Sequence, residues 1–190
     1  MPDDAVTTGA DTPEAFVADA ARLLERYGAT DEGFAAIADR LRRLAAEPGV
    51  VGLAQLGGLH GSASATILCE GADGGALMLA CFPPDAPTPV HNHNSWGIVC
   101  VVQGTDRYLR WERLDDGADP DRATLRLAEE RTLRAGEVLW FHGPPHDIHS
   151  QQGIDAPAWE LVFFGHNPNV RPRAYFDPDA GTVTHADAAG

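Results

Sequence analysis

The apolar positions of this 190-residue chain change their period near Val50. Before that point Phe16, Ala20, Leu23, Leu24 and Tyr27, and then Phe34, Ile37, Ala38, Leu41 and Leu44, recur at the spacing of one buried helix face. Thr12 followed by Pro13 and Glu14 is a helix start, a capping side chain ahead of a proline at the first helical position, and Gly28 is a stop. Asp31 opens a second helix that Pro48-Gly49 ends. Both stripes read as surface for docking on the rest of the fold. After Val50 the pattern shifts to short β-like runs broken by Gly, Pro and Asp. It predicts strands over Thr66–Glu70, Ala76–Phe82, Trp96–Gln103, Asp106–Arg113, Thr124–Leu133, Val138–Trp140 and Trp159–Phe164. Many short strands with no helix between them describe an antiparallel sandwich or barrel. The domain reading is a frayed tail plus helical extension over residues 1–48, a barrel over 49–170 and a C-terminal extension over 171–190. The extension is expected to hold a turn at Phe176-Asp177-Pro178 and a ragged end.

Composition fits an ordinary soluble globular chain, with 44% hydrophobic and 22% charged residues. Arg and Lys number 14 (all of them Arg) against 28 Asp and Glu, a net charge of −14. That field repels phosphate polyanions and acidic lipid surfaces, so neither nucleic acid nor a membrane is expected as a partner. No apolar run approaches the roughly 20 residues of a membrane span. The acidic start, MPDDAVTTGADTPE, lacks the basic and apolar segments of a secretion signal, so a cytoplasmic location is expected. Cys69, Cys81 and Cys100 all lie in apolar runs and read as small core residues, too few for a disulfide framework.

Chemistry enters with the histidines. His91 and His93 are two apart in PVHNHNSWG, and on a strand such residues project from one face, so two imidazoles converge. The competing reading is a pair of hydrogen-bonding histidines beside a turn. A second cluster, His142, His146 and His149, follows in WFHGPPHDIH, and a barrel can bring the two segments onto adjacent strands. Three neutral imidazoles suit Fe, Zn, Cu or Ni and leave coordination positions open. His60, His166 and His185 read as ordinary residues.

Pro-x-His-x-His, then Gly104, Gly136 and a downstream His, resembles the two motifs of the cupins. Their usual Glu ligand would fall at Gly97 and is missing. That absence, with the His-x-His-x-Ser-Trp-Gly run and the later Asp147-Ile148-His149, is similar to the thiol dioxygenase branch, the cysteine dioxygenase type. The resemblance implies an all-β, cupin-type double-stranded β-helix (jelly-roll) barrel preceded by two N-terminal α-helices. It implies Fe(II) held by His91, His93 and His149, with Ni, Zn or Mn as alternatives and O2 as co-substrate. His149 is preferred to His146 because the branch reads Asp-Ile-His there, and His142 becomes a residue near the rim.

Two departures from that branch stand out. Its Ser-x-His-x-Tyr triad would fall at Glu160, Val162 and Phe164, none of the expected type. If the face points inward, Glu160 is a catalytic candidate inside the barrel that needs a partner: a ligand histidine, the metal, an Arg or a substrate ammonium. If the register is shifted by one, it faces solvent. The branch's carboxylate-clamping Arg is also missing from the early strands, which leaves Arg107, Arg110 or Arg113 as the nearest candidates. Trp96 lines the pocket mouth or packs in the core. The resulting expectation is a mononuclear non-heme iron dioxygenase that oxidises the sulfur of a small thiol such as cysteine to a sulfinate or beyond. The alternatives are a cupin isomerase, hydrolase or decarboxylase, or a non-catalytic binder of small ligands. The oligomeric state is left open.

Overall fold

The computed structural model describes residues 11–50, 52–53 and 64–187, so the expected tail at 1–10 and His60 lie outside the described residues. Helix α1 (Pro13–Tyr27) starts where Thr12 accepts a hydrogen bond from the Ala15 N–H and ends at Gly28, whose φ is 70°. Helix α2 (Asp31–Ala45) is capped in the same way by Thr30 on the Gly33 N–H. No described helix is long and apolar enough to cross a membrane.

Eleven strands follow among the described residues: β1 (Ser64–Glu70), β2 (Ala76–Phe82), β3 (Val90–His91), β4 (Gly97–Gln103), β5 (Thr105–Arg113), β6 (Leu125–Arg134), β7 (Val138–Phe141), β8 (His149–Gly153), β9 (Ala158–Phe164), β10 (Arg173–Asp177) and β11 (Thr182–Ala186). They form two antiparallel sheets, ordered β1-β2-β9-β4-β7 and β11-β10-β3-β8-β5-β6. Within these, β2 to β9 fill the two sheets in the orders 2-9-4-7 and 3-8-5-6, the double Greek key of an eight-stranded jelly roll. The fold is thus an all-β jelly-roll barrel preceded by two helices.

The five-stranded sheet is apolar on both faces. Its outer face (Leu77, Leu79, Ile98, Cys100, Leu161, Phe163) packs against Phe16, Ala20, Phe34, Ile37, Leu41 and Leu44 of the helices. Its inner face (Met78, Ala80, Val99, Val101, Val162, Phe164) fills the barrel with Tyr108, Leu133, Leu139 and Phe141. Burial on both sides explains why β2 reads as an unbroken apolar run. Each large side chain in the helix layer contributes about 1.5–3 kcal/mol by leaving water. The three cysteines are free, with Cys81 and Cys100 buried. Burial pushes the Cys100 thiol up to about 12.

The C-terminal stretch has its turn at residues 178–181, just past the expected Phe176-Asp177-Pro178, but strands flank it where a ragged end was expected. β10 and β11 pair from Arg173↔Ala186 to Asp177↔Thr182, and β10 joins the second sheet through Tyr175↔His91. Ala174 and Phe176 pack with Ala123, Ile148 and Val183 in a small apolar cluster of their own. The other face of β10, bearing Arg173 and Tyr175, is turned to the barrel interior.

Candidate metal centre

The register of the second sheet assembles the centre. Tyr175, His91, His149 and Arg110 are direct cross-strand neighbours along β10, β3, β8 and β5. His93, just past β3, returns to the same point. The candidate ligand atoms of His91, His93 and His149 all lie within 4.8 Å of one another. The three residues are 8%, 6% and 2% exposed.

The outer nitrogens fix which inner atoms face one another. His91 Nδ1 lies 2.8 Å from the Pro89 carbonyl and His149 Nδ1 lies 3.0 Å from the Asp147 carbonyl. A carbonyl only accepts, so both Nδ1 atoms carry the proton and both Nε2 atoms present lone pairs. His91 Nε2 stands 3.0 Å from His93 Nε2. That is about the separation of two nitrogens each roughly 2.1 Å from a shared ion. His93 Nδ1 is sealed from solvent without a hydrogen-bond partner. Burial drives all three rings toward the neutral form, His91 to about 4 and the other two well below the usual histidine range. Neutral imidazole is the metal-binding form. The donor set, its protonation and its spacing therefore fit one divalent transition metal.

Asp147 ties the two histidine segments together. Its Oδ2 accepts from the His93 N–H at 3.3 Å, and its own carbonyl holds His149. Burial raises its pKa, while the backbone N–H groups of His93, Asn94 and Ser95 pull it back. At Gly97, a Cβ would sit 2.4 Å from the Phe141 ring. That ring, 4.9 Å from the His149 ring, leaves no room there for a carboxylate donor.

A cavity of about 250 Å³ opens onto the histidines. Met78, Val99, Phe141, Val162 and Phe164 make its apolar wall, and Thr88, Gln151, Asn169, Arg173 and Tyr175 supply polar groups. The Nη2 of Arg173 donates to the Pro168 carbonyl at 3.0 Å. Among the described residues no carboxylate pairs with it.

The other sequence-derived candidates are placed as follows. Glu160 is fully buried and points inward; it does not meet a histidine, an Arg or the cavity, but accepts from Gln151 Nε2 at 2.7 Å and sits beside Asp106. Trp96 does not line the cavity. Its ring packs 5.0 Å from Phe34 and 5.7 Å from Phe163, because Trp96 shares strand parity with Ile98 and Cys100 on the helix side. Arg107 lies on the outer face and pairs with Glu130 at 2.7 Å. Arg110 lies on the inner face with Asp106 and Tyr108, yet it pairs with Glu129 at 3.2 Å and stays outside the cavity wall. Arg113 binds Asp115 and the Arg122 carbonyl. His146 is exposed, and His142 is held on the helix side by Asp31 at 3.0 Å rather than at the cavity rim. His166 touches the main chain of His93, and His185 the Pro120 carbonyl.

Sequence reasoning missed Arg173, Tyr175 and Gln151. The signal for the first two was the alternation Arg173-Ala174-Tyr175-Phe176; Gln151 shares a strand face with His149.

No protein-family model matches the chain, and no curated protein does. Among solved structures it is similar to oxalate oxidase in complex with the substrate analogue glycolate, at 26% identity over 50% of this chain and 44% of that one, with a TM-score of 0.39. It is similar to the DMSP lyase DddQ from Ruegeria pomeroyi DSS-3, at 20% identity over 54% and 46%, TM-score 0.40. A cupin superfamily protein from Desulfitobacterium hafniense DCB-2 aligns at 14% identity over 57% and 82%, TM-score 0.41. The chain spans less than half the length of the first two. These are partial superpositions, and the jelly roll is recognised by its own strand order.

Proposed function

We propose that the protein is a mononuclear, cupin-type metalloenzyme whose ion is held by His91, His93 and His149 and whose substrate is a small carboxylate seated against Arg173. The convergence of three buried, neutral imidazoles on one point carries this reading. When bound, a divalent ion with three neutral ligands keeps its full charge, which favours anionic donors and activates them. The chain's own groups do the rest. Arg173 offers a fork for a carboxylate that has no competing acid beside it. The apolar wall excludes water and strengthens that pairing. Asp147 holds two of the three histidines in place.

Within this reading, oxidation of a small thiol by O2 is supported by the all-imidazole donor set, since an ion with undiminished charge stabilises a thiolate. A non-oxidative reaction (isomerisation, hydrolysis or decarboxylation) is supported by Val162 and Phe164, which put apolar surface where the resemblance implies a His and a Tyr. Metal analysis of anaerobically purified protein, with oxygen uptake over cysteine, cysteamine, 3-mercaptopropionate and mercaptosuccinate, separates the two. Iron with uptake supports the thiol oxidation. Zinc, manganese or nickel without uptake supports the second chemistry. A ligand-induced melting shift without turnover of any kind would leave a binding protein and overturn the enzymatic reading.

A further inference from the structure

Below the histidines, on the same face of β8, the barrel contains a second polar cluster that the metal centre does not use. Gln151 is 5% exposed and borders the cavity. Its Nε2 donates to Glu160 Oε2 at 2.7 Å and to Asp106 Oδ2 at 3.2 Å. An amide nitrogen has two hydrogens, and both are taken. Asp106 is pinned in turn by the Gln152 N–H on its Oδ1 at 3.2 Å, and the Gln151 N–H is held by Thr88 Oγ1 at 2.9 Å. Both acids are wholly buried, and no Arg pairs with either among the described residues. The amide is oriented with its nitrogen to both acids, since a flip would give up two donated hydrogen bonds and set its oxygen against any carboxylate charge there. Burial raises both acids, Asp106 to about 6 against the pull of its hydrogen bonds, and Glu160, which also feels the Asp106 charge, well above the usual range. Burial of the two side by side therefore disfavours a second negative charge on the pair.

We propose that Gln151, locked by Asp106 and Glu160, turns its Oε1 to the cavity as a fixed hydrogen-bond acceptor and selects substrates that carry a protonated amine. Gln151 is then a specificity-determining residue, and Asp106 and Glu160 are positioning residues that act through it. The charge behind the amide favours a cation at the floor of an apolar chamber whose own cation, Arg173, stands on a different strand. The inference rests on the metal-centre reading, because the ion anchors the ligand's other end.

Cobalt(II)-loaded protein provides the test, read from thiolate-to-cobalt absorption during titration with cysteamine and with 3-mercaptopropionate. Gln151→Met, of matching length but without the amide, should weaken cysteamine about 10-fold, the loss of one charge-assisted hydrogen bond. The affinity for 3-mercaptopropionate should not change. Glu160→Gln retains an acceptor for the Gln151 amide and should restore most of the preference that Glu160→Leu removes. An unchanged cysteamine affinity in Gln151→Met, or an equal fall for both thiols, overturns the proposal. Failure of the unsubstituted protein to take up cobalt overturns the metal-centre reading itself, and cobalt content is measured independently of either thiol.

Discussion

Two polar clusters lie inside one barrel, two residues apart on β8, and they solve burial in opposite ways. Around Gln151, each amide hydrogen meets a carboxyl oxygen, and the acids adjust by holding a proton. Around His149, the outer nitrogens of His91 and His149 are matched to carbonyls, that of His93 is unpartnered, and the inner nitrogens converge, with His91 Nε2 and His93 Nε2 at 3.0 Å. A buried polar group is costly unless partnered. The first cluster finds its partners within the chain and so serves to fix a shape. The second gathers three imidazole nitrogens at one point, a set that a metal cation can share. What distinguishes the two is what is left over: a single acid oxygen, Glu160 Oε1, in the first, and a set of converging imidazole nitrogens in the second.

The contrast can be broken most sharply at His93. His93→Ala should abolish stoichiometric metal uptake, measured by elemental analysis after dialysis against metal, while the melting temperature of the metal-free protein stays close to that of the parent. The ring borders the existing cavity, so its loss enlarges that space rather than opening a hole in the apolar core. Next comes the link between the two histidine segments: Asp147→Ala frees the His93–Ser95 backbone and should lower metal affinity about 10- to 100-fold in chelator competition. An affinity equal to the parent's would show that the segments hold themselves.

The acid cluster has the next largest effect. The folded pKa of Asp106 is raised above its unfolded value, so its ionisation costs stability that is absent below about pH 4 and fully expressed above about pH 6. Asp106→Asn should therefore gain stability relative to the parent by roughly 1–3 kcal/mol as pH rises from 4 to 7 in denaturant titrations. A difference that is flat with pH would sink this account. The smallest effect is expected at Arg110, whose half-exposed pair with Glu129 is a surface contact. Arg110→Gln should change stability by less than about 1 kcal/mol and leave 3-mercaptopropionate binding intact; weakened binding would return Arg110 to the substrate site.

The legible parts of the fold were those with apolar alternation. Both helices and the strands from β1 to β7 and β9 were visible, apart from β3, because packing against a core imposes a period. Strand β8 reads His-Ser-Gln-Gln-Gly, and β3 is Val-His alone; the site residues themselves erase the hydrophobic signal of the strands that carry them. The histidine trio was legible through its spacing and its resemblance, not through periodicity. Trp96 was left between pocket mouth and core, and Arg107 among the clamp candidates, although their parity, with Ile98 and with Leu109, points away from the interior. For Glu160 the sequence left an inward and a solvent-facing register open, and its partners were not legible, since β9 lies in one sheet, β5 and β8 in the other, and closure of the barrel brings Gln151 and Asp106 to it. Arg173 was hidden by a stretch bounded by Pro172 and Pro178, which reads as a chain end rather than as a wall of the chamber.

The contact between Gly97 and Phe141 also sets a barrier for descendants of this sequence. A lineage that acquired Glu at position 97 alone would drive its side chain into an aromatic ring, and one that first trimmed Phe141 would open a void beside His149 with nothing to fill it. Moving from three donors to four at this position thus requires paired changes on β4 and β7, each unfavourable alone.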